Sequence, residues 1–239
     1  MKNKKIKASY SYLAQEYYDE SLHPTCANFR IASKGLIENI LKSIDNNLNK
    51  RFLEVGAGKS VLLELIEELN IPSNKIIITD KDSEMLQYSS MLSLDKKYQL
   101  LCIDAEKTEF EPNSFDIIVS SLGDPYNTGE FWKEISRILV TNGICIFTTP
   151  SYEWSSRFRK PNEIHDFAEF ITKDKKTVLV PSYIYKSDKQ KELIQQNQLK
   201  VISTSCYELN KINSSTISHK LKLTNDRLPV VTSYLIIKE

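Results

Sequence analysis

Glu54, Gly56 and Gly58 share one five-residue window, and two further acids, Asp80 and Asp104, end later apolar runs. The window reads Leu53-Glu54-Val55-Gly56-Ala57-Gly58-Lys59-Ser60. Only 6 glycines occur in 239 residues, where average usage gives about 17, so two of them this close together carry information. Glycine lets backbone approach a ligand closely, and in an open α/β sheet ligands sit outside the carboxyl ends of the strands. A carboxylate at the next strand end can take both ribose hydroxyls of a nucleoside. Asp80 stands 22 residues beyond Gly58 for that task. Asp104 is placed to reach an adenine amino group.

Two phosphate-binding readings compete. The string Gly56-Ala57-Gly58-Lys59-Ser60 invites a P-loop, but that loop needs a glycine at position 53, which is Leu53. Glu54 would also lie in the cradle and repel phosphate. The dinucleotide fingerprint fails because its third glycine falls on Val61.

These residues need strands and helices to hold them. Residues 51–55, 75–80, 98–103, 115–119 and 143–149 are nearly continuous apolar runs, as in strands buried on both faces of a parallel sheet. Helical patterns over 61–69, 83–92 and 130–139 separate them, which predicts right-handed βαβ units in a doubly wound sheet. Residues 1–50 read as helical. Phe29, Ala32, Leu36, Ile40, Ile44 and Leu48 form one apolar stripe, with Thr25 as the expected cap. Beyond Pro150 the pattern predicts an insertion over about 151–185, including a strand-like run at 177–185, and a helix at 189–198. Two strands at 200–208 and 230–238, with no helix between them, should be antiparallel neighbours. The division expected is a helical extension, 1–50, and a ligand-binding domain, 51–239.

The ordered series resembles the class I S-adenosylmethionine-dependent methyltransferases, whose first motif is acid-x-G-x-G-x-G after a strand. Glu54, Gly56 and Gly58 match, and Ser60 replaces the third glycine. The resemblance continues through Thr79-Asp80-Lys81-Asp82, Asp104-Ala105, Asn113-Ser114-Phe115-Asp116 and Thr141-Asn142-Gly143. It implies a Rossmann-like α/β fold with a seven-stranded, mostly parallel sheet, an antiparallel C-terminal strand and an N-terminal segment covering the cofactor. By that resemblance Asp80 takes the ribose and Asp104 the adenine edge. Gly56, Ala57 and Gly58 take the methionine part, and Glu54 takes its ammonium through water. Lys81, Ala105 and Ser120 are expected to line the same site. Charge agrees, because S-adenosylmethionine carries a positive sulfonium and no phosphate, and acids attract it.

The methyl acceptor is expected beyond the fourth sheet strand, at residues 120–127. Asp124-Pro125-Tyr126 resembles the [DN]PP[YFW] motif of amino-methyltransferases, with one proline absent and a longer spacing from the strand. Asp124, Tyr126 and Asn127 are therefore candidate acceptor contacts, beside the plain alternative of a turn built by Gly, Asp and Pro. His23 is a candidate base or a structural cap. Tyr152, Trp154, Arg157 and Arg159 are a candidate wall for an anionic acceptor, and Lys160 extends that basic cluster. His165 and His219 have no partners at ligand spacing, no Ser elbow exists, and no metal is expected.

Composition bounds the rest. A length of 239 residues suits one large domain, and 41% hydrophobic residues can build a real core. A net charge of +1 and six arginines offer no bulk field for nucleic acid, so a small molecule is the expected acceptor, with nucleic acid or protein as alternatives. Four scattered cysteines suit reduced thiols, and no run of 18 apolar residues occurs, so a cytoplasmic protein without membrane contact is expected. A SAM-binding partner subunit without activity is the rival of another class.

Overall fold

The computed structural model describes residues 5–44, 49–92, 97–159, 166–212, 217–223 and 227–239. A two-residue strand, β1 (Ile6–Lys7), and one 3-10 turn (Tyr10–Leu13) lead into α1 (Pro24–Lys42). Then β2 (Phe52–Glu54), α2 (Val61–Leu65), β3 (Ile76–Asp80), α3 (Ser83–Ser90), β4 (Gln99–Cys102), β5 (Phe115–Ser120), α4 (Gly129–Ile138) and β6 (Leu139–Pro150) follow. A short α5 (Tyr152–Ser155), strands β7 (Phe167–Ile171) and β8 (Thr177–Pro181), α6 (Ser187–Gln195), β9 (Leu199–Glu208), α7 (His219–Lys222) and β10 (Pro229–Lys238) complete the chain.

Seven strands form one sheet in the order β4-β3-β2-β5-β6-β10-β9. β2 to β6 are mutually parallel, and β10 runs antiparallel to both β6 and β9. The alternation of apolar side chains explains why these runs read as continuous. Phe52, Ile117 and Ile146 enter a core with α1 and α2, while their neighbours Leu53, Ile118 and Cys145 enter the opposite core with α4 and α6. α4 puts Phe131, Trp132, Ile135 and Ile138 at zero exposure. Each such burial contributes about 1.5–3 kcal/mol.

Four expectations change. The connection from β9 to β10 holds a short helix, α7, although the two strands are the antiparallel neighbours expected. α1 starts at Pro24 with His23 as its cap residue, so Thr25 lies inside the first turn. Proline suits that position, since its missing N–H has no partner there anyway. α2 ends at Leu65, and the chain continues to Asn70 in turns. The N-terminal region is not wholly helical, because β1 pairs in parallel with β8, which pairs antiparallel with β7. N-terminal segment and insertion thus form one small second sheet. α1 itself packs on the main sheet through Ile37 and Leu41. Leu48, Lys160 and His165 lie outside the described residues.

Candidate active site

The turn after β2 is built from its backbone outward. Val55 N–H bonds the Val119 carbonyl (3.0 Å) and Ala57 N–H the Thr79 carbonyl (2.9 Å), which hangs the loop between β5 and β3. Gly56 and Gly58 have φ of +59° and +48°, in the left-handed region that favours glycine. Glu54 is fully buried beneath them. Its carboxylate accepts from Val61 N (2.9 Å), Leu62 N (3.1 Å) and the Ser60 hydroxyl, and Ser60 Oγ accepts from Leu63 N (3.0 Å). Burial pushes the carboxyl up to about 7 against those bonds. The acid therefore caps α2, and it is not among the residues lining the cleft, where its expected water-linked contact would lie. The P-loop alternative is also removed: the Gly58, Lys59, Ser60 and Val61 amides that would cradle phosphate are spent on Asp80, Tyr18, Ser89 and Glu54.

Asp80 closes the loop from below. Its Oδ2 accepts from Gly58 N (2.8 Å) and its Oδ1 from Asp82 N (2.9 Å). Burial raises its carboxyl, and the two amides oppose that. Partial burial pushes the Asp104 carboxyl up, and the Lys81 ammonium at 2.6 Å together with the Glu106 amide at 3.0 Å outweighs that and holds it low. Gly56, Ala57, Gly58, Asp80, Lys81, Asp104 and Ala105 all open into one cleft of about 1640 Å³.

Two tyrosines lie over the glycines. A Cβ on Gly56 would stand 2.2 Å from Tyr126 Oη, and one on Gly58 2.2 Å from Tyr18 Oη. Tyr126 donates to the Val55 carbonyl (2.8 Å) and lies 3.1 Å from Ser120 Oγ. Ser120 is buried and, like Glu54, does not line the cleft. Tyr18 Oη accepts from Lys59 N (2.7 Å). Arg30 of α1 donates to the Lys59 carbonyl (2.5 Å) and to Glu64 (2.6 Å), so α1 holds the loop from outside.

The far half of the cleft is polar and aromatic. Asp124 Oδ2 accepts from Ser182 Oγ (2.5 Å), whose oxygen accepts from Arg159 Nη2 (2.6 Å). Burial pushes the Asp124 carboxyl up to about 6, with Ser182 and Arg159 opposing. Asn127, an expected acceptor contact, is instead buried away from the cleft: Trp132 (2.9 Å), Gln190 (2.6 and 3.0 Å) and the Tyr183 carbonyl (3.0 Å) take its amide group. His23 lines the cleft, with Nε2 3.4 Å from Glu16 Oε1 and its ring against Phe170. Of the expected wall, Trp154 and Arg159 line the cleft, whereas Tyr152 lines a separate hollow of about 240 Å³. Arg157 lines neither. His219 reaches the cleft from α7. Ser182 and Glu16 escaped the sequence reading. The aromatic run around Tyr10 is visible in the sequence, but nothing there ties it to Phe170, whose ring it meets at 6.2 Å.

Sheet order, the glycine turn after β2 and the acid ending β3 together define the class I methyltransferase fold. Residues 53–147 match a family model described as Methyltransferase domain. No curated protein sequence matches the chain. Solved structures share the fold at low identity. An S-adenosylmethionine-dependent methyltransferase from Clostridium acetobutylicum is 17% identical, with a TM-score of 0.64 over 96% of this chain and 98% of that one. A methyltransferase from Haloferax volcanii, solved with a methyltransferase activator, is 13% identical, with a TM-score of 0.65 over 95% and 96%. Geranyl diphosphate C-methyltransferase from Streptomyces coelicolor, solved with S-adenosyl-L-homocysteine, is 10% identical, with a TM-score of 0.61 over 86% and 78%. Among the described residues, no helix is long and apolar enough to cross a membrane.

Proposed function

We propose that this protein binds S-adenosylmethionine and transfers its methyl group to a small molecule. The observation that carries this reading is the joint opening of Gly56, Gly58, Asp80 and Asp104 into one cleft with Asp124 and Tyr126. Acids and close-approach glycines fit a cationic nucleoside without phosphate. When bound, S-adenosylmethionine supplies an activated methyl group, which the acceptor's lone pair takes as the carbon–sulfur bond breaks and S-adenosylhomocysteine leaves. The chain's own contribution is binding and positioning. Asp80 takes the ribose hydroxyls, Asp104 and Lys81 flank the adenine, and the amino-acid part approaches the backbone of Gly56 to Gly58 once the Tyr18 side chain over Gly58 moves aside. Asp124, Tyr126 and His23 face the acceptor. The second small sheet and the N-terminal segment wall the cleft, which suits a small acceptor better than a polymer.

Purified protein incubated with methyl-labelled S-adenosylmethionine and fractionated extract tests this. Label should enter the small-molecule fraction. Label in RNA, DNA or protein would move the acceptor class, and binding without transfer would favour a subunit that works with a partner; the Haloferax neighbour was solved in complex with a methyltransferase activator.

A further inference from the structure

Asp124 stands where the two halves of the cleft meet. It is 6% exposed, lines the cleft, and lies two residues before Tyr126, whose ring covers Gly56. A buried carboxylate is costly unless hydrogen-bonded. Here the bond comes from Ser182, just after β8, and Ser182 is held in turn by Arg159, which also donates to the Ser182 carbonyl (2.9 Å). The Tyr183 amide fixes the Asp124 carbonyl at 2.7 Å. Both supporting residues come from the segment that follows β6, outside the matched family region.

We propose that Asp124 accepts the acceptor's proton during methyl transfer and that Ser182 and Arg159 are its positioning residues. The acceptor is then a protic nucleophile, an amine or a hydroxyl. Ser182 takes Oδ2 and the residue's own amide also supports the carboxylate, whose side facing the cleft is where the acceptor's N–H or O–H meets it. As the acceptor's lone pair takes the methyl group, its proton passes to Asp124 and from there to water. The groups facing Asp124 are Arg159 beyond α5, Tyr10 and Tyr17 from the N-terminal segment, Cys26 of α1 and its own neighbour Tyr126. Burial raises the phenols and the thiol, Cys26 to about 12, so they are neutral near pH 7. Arg159 is the charge in this set, and it favours the carboxylate.

The inference rests on the methyltransferase reading, and its test separates the two. Carbon-13 NMR of Asp-labelled protein follows the Asp124 carboxyl directly, with assignment from Asp124→Asn and no acceptor needed. The wild-type carboxyl should titrate near 6. Ser182→Ala and Arg159→Gln should each move that midpoint up, by roughly a unit, because each removes support for the charged form. Ser182→Thr should restore it. An unmoved or lowered midpoint in either folded variant overturns the relay. If both fail to fold, the wild-type titration decides: an ordinary carboxylate midpoint near 3.8 means that Asp124 is not held as this account requires. In single-turnover transfer to the labelled fraction, Asp124→Asn should cut the rate on the order of 10²-fold or more, while Arg157→Gln, outside the cleft, retains it. An Asp124→Asn variant that transfers at the wild-type rate overturns the proposal. Calorimetry with S-adenosylmethionine stands apart: absent binding with a shifted midpoint contradicts the methyltransferase reading, and the proton transfer with it, while the support of Asp124 by Ser182 and Arg159 stands; binding with an unmoved midpoint contradicts the support and leaves the methyltransferase reading.

Discussion

At the scale of single residues, Asp80 and Gly56 make different predictions. On the proposed function, Asp80 meets ribose hydroxyls that S-adenosylmethionine and S-adenosylhomocysteine share. Asp80→Ala should therefore weaken both ligands alike, by about 10–100-fold, the worth of one charge-assisted hydrogen bond. Calorimetry with each ligand checks this, and loss of only one would place the acid elsewhere on the ligand. Because Asp80 also holds Gly58 N at 2.8 Å, its melting temperature must be read beside its affinity. Gly56 is a poorer probe of binding than the sequence suggests. At a φ of +59°, with Tyr126 Cε1 2.3 Å from the missing Cβ, Gly56→Ala must strain the turn and displace a packed ring. The left-handed conformation alone costs roughly 1–2 kcal/mol. The melting temperature should fall by at least ~2–4 °C, and an unchanged value would mean that the ring moves freely.

At the scale of elements, the sheet was legible and the roof was not. Strands buried on both faces leave continuous apolar runs, and the glycine and acid series falls at their ends, so the sheet and the residues at the mouth of its cleft followed from the sequence. A two-residue strand, Ile6–Lys7, leaves no such run, and its pairing with Val178 and Leu179 depends on tertiary closure. Glu54 and Asn127 were legible as polar residues near a site but not by direction. Glu54 turned to the start of α2 because four amides there need acceptors, and Asn127 turned to Trp132 and Gln190. The roof has its own consequence. Tyr18 lies over Gly58, held by Lys59 N, with Arg30 5.8 Å from its ring. It occupies space that a ligand on the glycine turn needs. Tyr18→Ala should speed association of S-adenosylmethionine by ~2–10-fold, as loss of one hydrogen bond allows. Stopped-flow fluorescence measures this, and slower association would show that Tyr18 grips the ligand instead.

At the scale of the whole molecule, one cleft joins three regions of different origin. The parallel sheet supplies the glycines and acids, α1 with the N-terminal segment supplies Tyr18, His23 and Arg30, and the segment after β6 supplies Arg159 and Ser182. Only the first of these resembles a known motif series, which is why the methyl donor reads clearly and the acceptor enters by class alone. The central claim is that the donor site and the acceptor site act as one. Its most direct test is single-turnover formation of S-adenosylhomocysteine from methyl-labelled S-adenosylmethionine and the small-molecule extract fraction, comparing wild type with Asp80→Ala and Asp124→Asn. The account predicts label transfer matched by S-adenosylhomocysteine in the wild type, lost in Asp80→Ala through binding and in Asp124→Asn with binding kept. A wild-type protein that forms no S-adenosylhomocysteine, or an Asp124→Asn variant that transfers label at full rate, would contradict it.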